Sequence, residues 1–291
     1  MNKTTLLAVA AVATLALPAH SAPPGELPPA IYTDPAPDPA SPARMEVLHI
    51  PSGGVEINGV AYLASGKGPH PTVIICHGWP GNEKNLDLAQ TIRRAGWNTI
   101  TFNYRGAWGS PGVFRFAQNP QDAKAVLAFL RNPPNAAKLG VDPGRIAMIG
   151  HSMGGWVTTF VASEDESLIG AGLISAANMG VMRGLDREGI VKLAGENSEA
   201  LAGTTPEGMA DELIAGQPDF DFIRTAQRLA GKPLLVLSSD DGLAPQTDAL
   251  VAAVRKAGGN RITTYHATTD HSWSNSRIDL AERVIKWLES L

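Results

Sequence analysis

The pentapeptide Gly150-His151-Ser152-Met153-Gly154 sets a serine between two glycines. The strand-like run 145–149 precedes it, and a helical run over 156–162 follows. In that context the five residues form a sharp strand-to-helix turn that lifts the Ser152 hydroxyl clear of a sheet. The flanking glycines relieve the crowding of such a turn. A serine hydroxyl is a poor nucleophile at neutral pH, so a base must take its proton and an acid must hold that base in the right tautomer. His271, in Thr269-Asp270-His271-Ser272-Trp273, is the candidate base, on a loop between the last strand-like and last helical runs. Asp240 and Asp241 both follow the apolar run 233–237. Either gives the chain order Ser, Asp, His that accompanies a serine on such a turn.

Acyl transfer also needs donors aimed at the developing oxyanion. The backbone N–H of Met153 follows the nucleophile, and that of Trp79 sits in His77-Gly78-Trp79-Pro80-Gly81. His77 reads as a loop-fixing residue, His151 as a packing residue of the turn that points away from the nucleophile, and His266 as structural. Four tryptophans lie in or beside these blocks. Trp156 suits the core, Trp108 and Trp273 are candidates for a substrate pocket, and for Trp79 and Trp273 an acyl pocket and core packing fit equally well.

Elements that could position these groups alternate along the chain. Strand-like runs at 72–76, 98–103, 145–149, 168–174, 233–237 and 261–266 are separated by helical stretches, which predicts a mainly parallel sheet covered on both faces. Ala281, Val284, Ile285 and Leu288 recur at helical spacing in the last of these. Before them, 45–50 and 55–63 joined by Pro51-Ser52-Gly53-Gly54 predict an antiparallel hairpin at the sheet edge. Between 175 and 232 no strand pattern appears. Thr205-Pro206-Glu207 there resembles a helix start, so an inserted helical cap over about 176–231 is expected.

Upstream, residues 23–44 are proline-rich and read as a linker or surface strap. Residues 1–22 read as a signal peptide, with Lys3, an apolar run over 6–17, Pro18, and small residues at Ala19, Ser21 and Ala22. That run is too short to span a bilayer. Export to the periplasm or medium is expected, with no stable membrane insertion once the leader is removed.

The chain has 291 residues, 24 basic and 28 acidic, for a net charge of −4. No basic cluster offers itself to phosphates, so nucleic acid is not an expected partner. Cys76 is the only cysteine, which excludes an intrachain disulfide and suits a buried strand position. No His-Glu-x-x-His or closely spaced His cluster occurs, so neither metal nor other cofactor is expected.

Taken together, the blocks 77–81, Asn103-Tyr104-Arg105-Gly106-Ala107-Trp108-Gly109-Ser110, 150–155, Asp241-Gly242-Leu243-Ala244-Pro245 and Asp270-His271-Ser272 resemble the α/β-hydrolase superfamily. The resemblance spans about 45–291. It implies a doubly wound, mainly parallel α/β sheet with an antiparallel N-terminal edge and an inserted helical cap. It also implies a serine hydrolase with Ser152, Asp241 and His271 as triad, because Asp241 begins a short turn ending at Pro245, as the family's acid does. The chain is similar to esterase and peptidase-like members with an Arg-Gly-x-x-x-Ser loop. It departs from the lipase branch with a longer Gly-rich oxyanion segment, and serine at 152 argues against dehalogenase chemistry, which uses a carboxylate there. The expected activity is cleavage of small to medium carboxylic esters. A peptidase or amidase on the same machinery is the alternative, and a non-catalytic binding protein is the third reading. Oligomeric state is not legible.

Overall fold

A computed structural model of the chain describes residues 27–182 and 184–291. The signal-peptide reading and the first residues of the proline-rich stretch lie outside them. The strands are β1 (Arg44–Ser52), β2 (Val55–Leu63), β3 (His70–Cys76), β4 (Asn98–Phe102), β5 (Val141–His151), β6 (Ala171–Ile174), β7 (Leu234–Ser239) and β8 (Ile262–Ala267). They form one sheet in the order β1-β2-β4-β3-β5-β6-β7-β8. β1 pairs β2 and β2 pairs β4 antiparallel; β4, β3 and β5 to β8 pair parallel. The β1–β2 turn has Gly53 and Gly54 at φ 56° and 86°, the conformation that two-residue hairpins require.

Parallel neighbours need crossovers, and helices supply them: α1 (Leu86–Arg94), α2 (Asn119–Arg131), α3 (Pro133–Leu139), α4 (Met153–Glu164), α8 (Ala244–Lys256) and α9 (Arg277–Glu289). Successive strand residues face opposite sides, so Ile74 and Met148 pack under α2, α4 and α8, whereas Val73, Ile75, Ala147 and Ile149 pack under α1 and α9. The helical stripe Ala281, Val284, Ile285 and Leu288 is buried against that second face. Strand order reverses at β3: the chain leaves it for β4 on one side and returns to β5 on the other. A crevice therefore opens at the carboxyl ends of β3 and β5, where residues 77–81 and Ser152 stand.

β6 begins at Ala171 rather than 168, because residues 168–170 come out of a turn after α4 and meet β5 through Ile169 N–H to Ile146 O at 2.9 Å and Met148 N–H to Gly170 O at 3.2 Å before the regular ladder starts. Between β6 and β7 lie α5 (Arg187–Glu196), α6 (Pro206–Phe220) and α7 (Ala226–Leu229). Thr205 caps α6 by accepting the Gly208 N–H at 3.1 Å, with Pro206 at the first helical position. α5 and α6 pack on each other, whereas α7 packs against α4 and α8 and so covers the sheet. Within the stretch 176–231, α7 thus lies over the sheet and α5 and α6 form a separate pair. Residues 200–202 dock on the loop after β4 through Trp108 N–H to Ala200 O (2.9 Å) and Ala202 N–H to Gly106 O (2.7 Å). Upstream of β1, a 3₁₀ turn at Pro29–Ile31 is held by Arg94 Nε donating to Ala30 O at 2.6 Å.

The loop after β4 is tied down by a buried carboxylate. Asp122 accepts from Ser52 Oγ at 2.5 Å, Arg105 N–H at 2.9 Å and Arg105 Nε at 2.6 Å. Removing one partner of a buried ion pair leaves the other charge uncompensated. Asp122→Ala is therefore expected to lower the unfolding free energy by about 3 kcal/mol, as measured by guanidinium denaturation.

Candidate active site

Ser152 follows β5 directly and adopts φ 57° and ψ −124°. A non-glycine residue holds such a conformation only where its surroundings impose it. Its N–H donates to Ile174 O at 3.0 Å, and its carbonyl accepts from Gly155 N–H at 2.9 Å and Ala177 N–H at 3.0 Å. A Cβ at Gly150 would sit 1.9 Å from Gly154 O, and one at Gly154 would sit 2.1 Å from Cys76 O. No side chain fits either place, which is why the turn needs glycine at both. Cys76 is fully buried there, and burial pushes its thiol up to about 12.

Asp241 and His271 arrive on the loops after β7 and β8. His271 Nδ1–H donates to Asp241 Oδ2 at 2.6 Å, and Asp241 Oδ1 accepts the Leu243 N–H at 2.8 Å. Burial would raise the Asp241 carboxyl, but these bonds and the facing imidazole hold it below the ordinary carboxylate value. Asp240 turns the other way: it accepts from His266 Nε2 at 2.9 Å on an exposed face, and the other nitrogen of that ring meets Ser238 Oγ at 2.9 Å. The structure thus sorts the two adjacent aspartates onto two histidines, and only Asp241 joins the base expected from the sequence.

His151 does more than pack the turn. Its Nε2–H donates to His271 O at 2.8 Å, with the two rings 4.7 Å apart, so it grips the loop that carries the base. His77 donates Nδ1–H to Gly78 O at 2.8 Å, and Tyr104 donates its hydroxyl to His77 O at 3.2 Å, fixing the loop after β3 as expected. A Cβ on Gly78 would lie 2.9 Å from Ser152 Cβ, so this loop runs against Ser152. Met153 opens α4, where an N–H has no intrahelical acceptor.

Ser152, His271 and Asp241 line one cavity of about 530 Å³, together with Trp79 and Met153. Its remaining wall comes from the inserted layer and α8: Met179, Val181, Met182, Leu185 and Leu193 are apolar, while Asn178, Asn197 and Gln246 are polar. The structure does not bring Trp108 and Trp273 to this cavity. Trp108 lies outside it because its Nε1 donates to Pro80 O at 2.6 Å while Lys84 Nζ sits 4.1 Å over its ring. Trp273 is wholly buried under α9, and its Nε1 donates to Ser175 Oγ at 3.0 Å, which anchors the base loop from beneath. Trp79 both lines the cavity and packs edge-on to Phe116 at 5.0 Å. Asn178 and Gln246 escaped the sequence reading; the signal that could have found them is position, since each closely follows the carboxyl end of a parallel strand. Among the described residues no group of His, Cys, Asp and Glu could hold a metal ion, and no helix is long and apolar enough to cross a membrane.

With this geometry in hand, a family model described as the alpha/beta hydrolase family matches residues 73–285. No curated protein matches the sequence. Among solved structures, an esterase from Pyrobaculum calidifontis superposes with a TM-score of 0.65 at 20% identity, covering 86% of this chain and 87% of that one. The carboxylesterase EstE1, cloned from a metagenomic library, gives a TM-score of 0.63 at 20% identity over 85% of this chain and 90% of its own. The acylaminoacyl peptidase of Pyrococcus horikoshii gives 0.63 at 16% identity, covering 85% of this chain but 41% of that one. At these identities the likeness is one of fold.

Two buried histidines make the site acid-sensitive. Burial lowers His77 to about 4 and His151 to about 3 from the ordinary 6.5. Unfolding lets both take up protons below pH 6.5, so stability is complete above that value and is lost as pH falls toward 4. Between pH 7 and pH 5 the loss should be about 2 kcal/mol per histidine. Asp241, depressed below its ordinary 3.8, contributes no slope in that window. Denaturation midpoints across the window should show the fall, and His151→Gln should remove roughly half of it.

Proposed function

Because the chain belongs to the alpha/beta hydrolase family, we propose that it is an exported serine hydrolase that cleaves small to medium carboxylic esters through an acyl-enzyme. The observation that carries this reading is the 2.6 Å pair between His271 and Asp241, which shares a cavity with Ser152 on its strained turn. Export rests on the sequence pattern of residues 1–22 alone.

In the proposed cycle, His271 Nε2 takes the proton of Ser152 Oγ as that oxygen attacks the ester carbonyl carbon. Asp241 keeps Nδ1 protonated and stabilises the imidazolium. The backbone N–H groups of Met153 and Trp79 receive the oxyanion, a contribution of roughly 3 kcal/mol for each donor. Collapse returns the proton to the departing alcohol. Water, deprotonated by the same nitrogen, then hydrolyses the acyl-Ser152 ester and restores the enzyme.

The cavity favours esters over peptides with a free amino terminus. An α-ammonium group needs a carboxylate partner once desolvated. Among the described wall residues Asp241 is the only carboxylate, and it is engaged by His271. The apolar wall instead suits an uncharged acyl or alcohol group.

Ser152→Ala should leave a folded protein whose turnover of para-nitrophenyl esters drops by about 10⁵-fold or more, with loss of fluorophosphonate labelling at that residue. Retention of activity in the purified variant would exclude this nucleophile. Asp241→Asn should lower kcat by roughly 10⁴-fold, whereas Asp240→Asn, which touches only the exposed His266, should cost less than tenfold. A larger loss at Asp240 in steady-state kinetics on the same ester would reverse the assignment of the acid.

A further inference from the structure

Three carboxamides stand on the wall of the cavity beside Ser152, and their hydrogen bonds differ in one respect that matters for a ligand. Asn178 is used at both ends: Nδ2 donates to Asp221 Oδ1 at 2.8 Å, and Oδ1 accepts the Gly180 and Phe222 N–H groups at 3.1 and 3.2 Å. Asn197 donates one Nδ2 hydrogen to Leu193 O at 2.9 Å, so its amide is tied to its own helix and keeps one N–H and its oxygen. Gln246, in the first turn of α8, accepts the Asn178 backbone N–H with Oε1 at 2.7 Å.

That last bond settles how the Gln246 amide is turned. A backbone N–H can only donate, so the atom facing it must be the carboxamide oxygen. The NH₂ group occupies the other arm of the planar amide, and among the described residues no acceptor takes its hydrogens. The wall around it is largely thioether and hydrocarbon. The Trp79 indole N–H, also without a described partner, is sealed from solvent. Gln246 therefore differs from both asparagines in offering an NH₂ group with neither hydrogen taken by a described acceptor, oriented by a bond to the segment whose Ala177 N–H binds the Ser152 carbonyl.

We infer that Gln246 is a specificity-determining residue that selects esters carrying a second acceptor oxygen, an ether or carbonyl oxygen in the acyl or alcohol part, over their hydrocarbon isosteres. The inference rests on the ester-hydrolase reading above. Its physical basis is an asymmetry: an acceptor oxygen replaces the water on the NH₂ group, whereas a methylene in the same place strips that water and returns nothing.

The test compares kcat/KM for para-nitrophenyl pentanoate with that for its isosteres methoxypropanoate and ethoxyacetate, in which oxygen replaces one methylene. Using the same set in each variant cancels the intrinsic reactivity of the esters. Gln246→Glu keeps an oxygen for the Asn178 N–H but removes the NH₂ donor, and Gln246→Met keeps the length but removes both. Whatever happens to absolute rates, the preference for the better oxygenated isostere should fall about tenfold in both variants. A ratio that stays within twofold of wild type in the Glu variant would overturn the inference. So would a fall in the Glu variant with none in a folded Met variant, since that pattern reports the added charge. If the Met variant does not fold, the Glu variant decides alone. Wild-type protein that turns over none of the three esters and takes no fluorophosphonate at Ser152 would overturn the hydrolase reading itself, and this inference with it.

Discussion

The close approach of three backbone segments at the carboxyl end of the sheet is the constraint on which the site depends. β5 turns into α4 with Gly150 against Gly154, and Gly154 in turn against the carbonyl of Cys76 on β3. These contacts admit no Cβ, so the turn can hold Ser152 at φ 57° only because three neighbouring strands and their loops are already assembled around it. Ser152's own amide and carbonyl are bonded to the segment 174–177, which leads into the inserted layer. Ser152, the loop after β3 and the segment 174–177 are thus one mechanical unit.

Charge is sorted with equal economy. Two aspartates adjacent in sequence serve two histidines, one pair with its carboxylate buried and its imidazole opening on the cavity, the other facing solvent at both ends. By contrast, His77 and His151 are buried as neutral rings that act through single N–H donors to backbone carbonyls. For His151, whose ring lies 4.7 Å from that of His271, neutrality spares the two rings a like-charge contact when His271 is protonated. Below the base loop, the buried Trp273 indole fixes the chain through Ser175, which itself meets Ser239 Oγ at 2.7 Å. Both strands that flank this contact end at the crevice.

Much of this was legible in the sequence where a local physical rule had no competitor. Apolar runs between helical stretches located all six parallel strands, and Gly53-Gly54 located the hairpin turn, because strand period and positive φ leave direct marks on residue type. The Thr205-Pro206 helix start is visible for the same reason. The Ser152 turn was legible because its glycines are sterically compelled. Tryptophan placement was not: an indole suits a pocket wall and a core equally, and only tertiary packing sends Trp273 under α9 and ties Trp108 to Pro80. Nor was the packing of α7 on α4 and α8 legible, since a helix over a cavity and a helix over a sheet share one periodicity. Asn178 and Gln246 carry no motif, and their meaning comes entirely from which atoms are left after the backbone has been satisfied.

The lone cysteine gives the fold an internal witness. Cys76 is sealed at the junction of β3 and the Ser152 turn, with its thiol raised to about 12. A thiolate is the reactive species, so burial withholds this sulfur from solvent-borne alkylating reagents while the native packing holds. It becomes reactive only when the β3–β5 junction parts. The rate at which a thiol reagent modifies the native protein therefore counts openings of the very seam that shapes the Ser152 turn, without any probe being introduced.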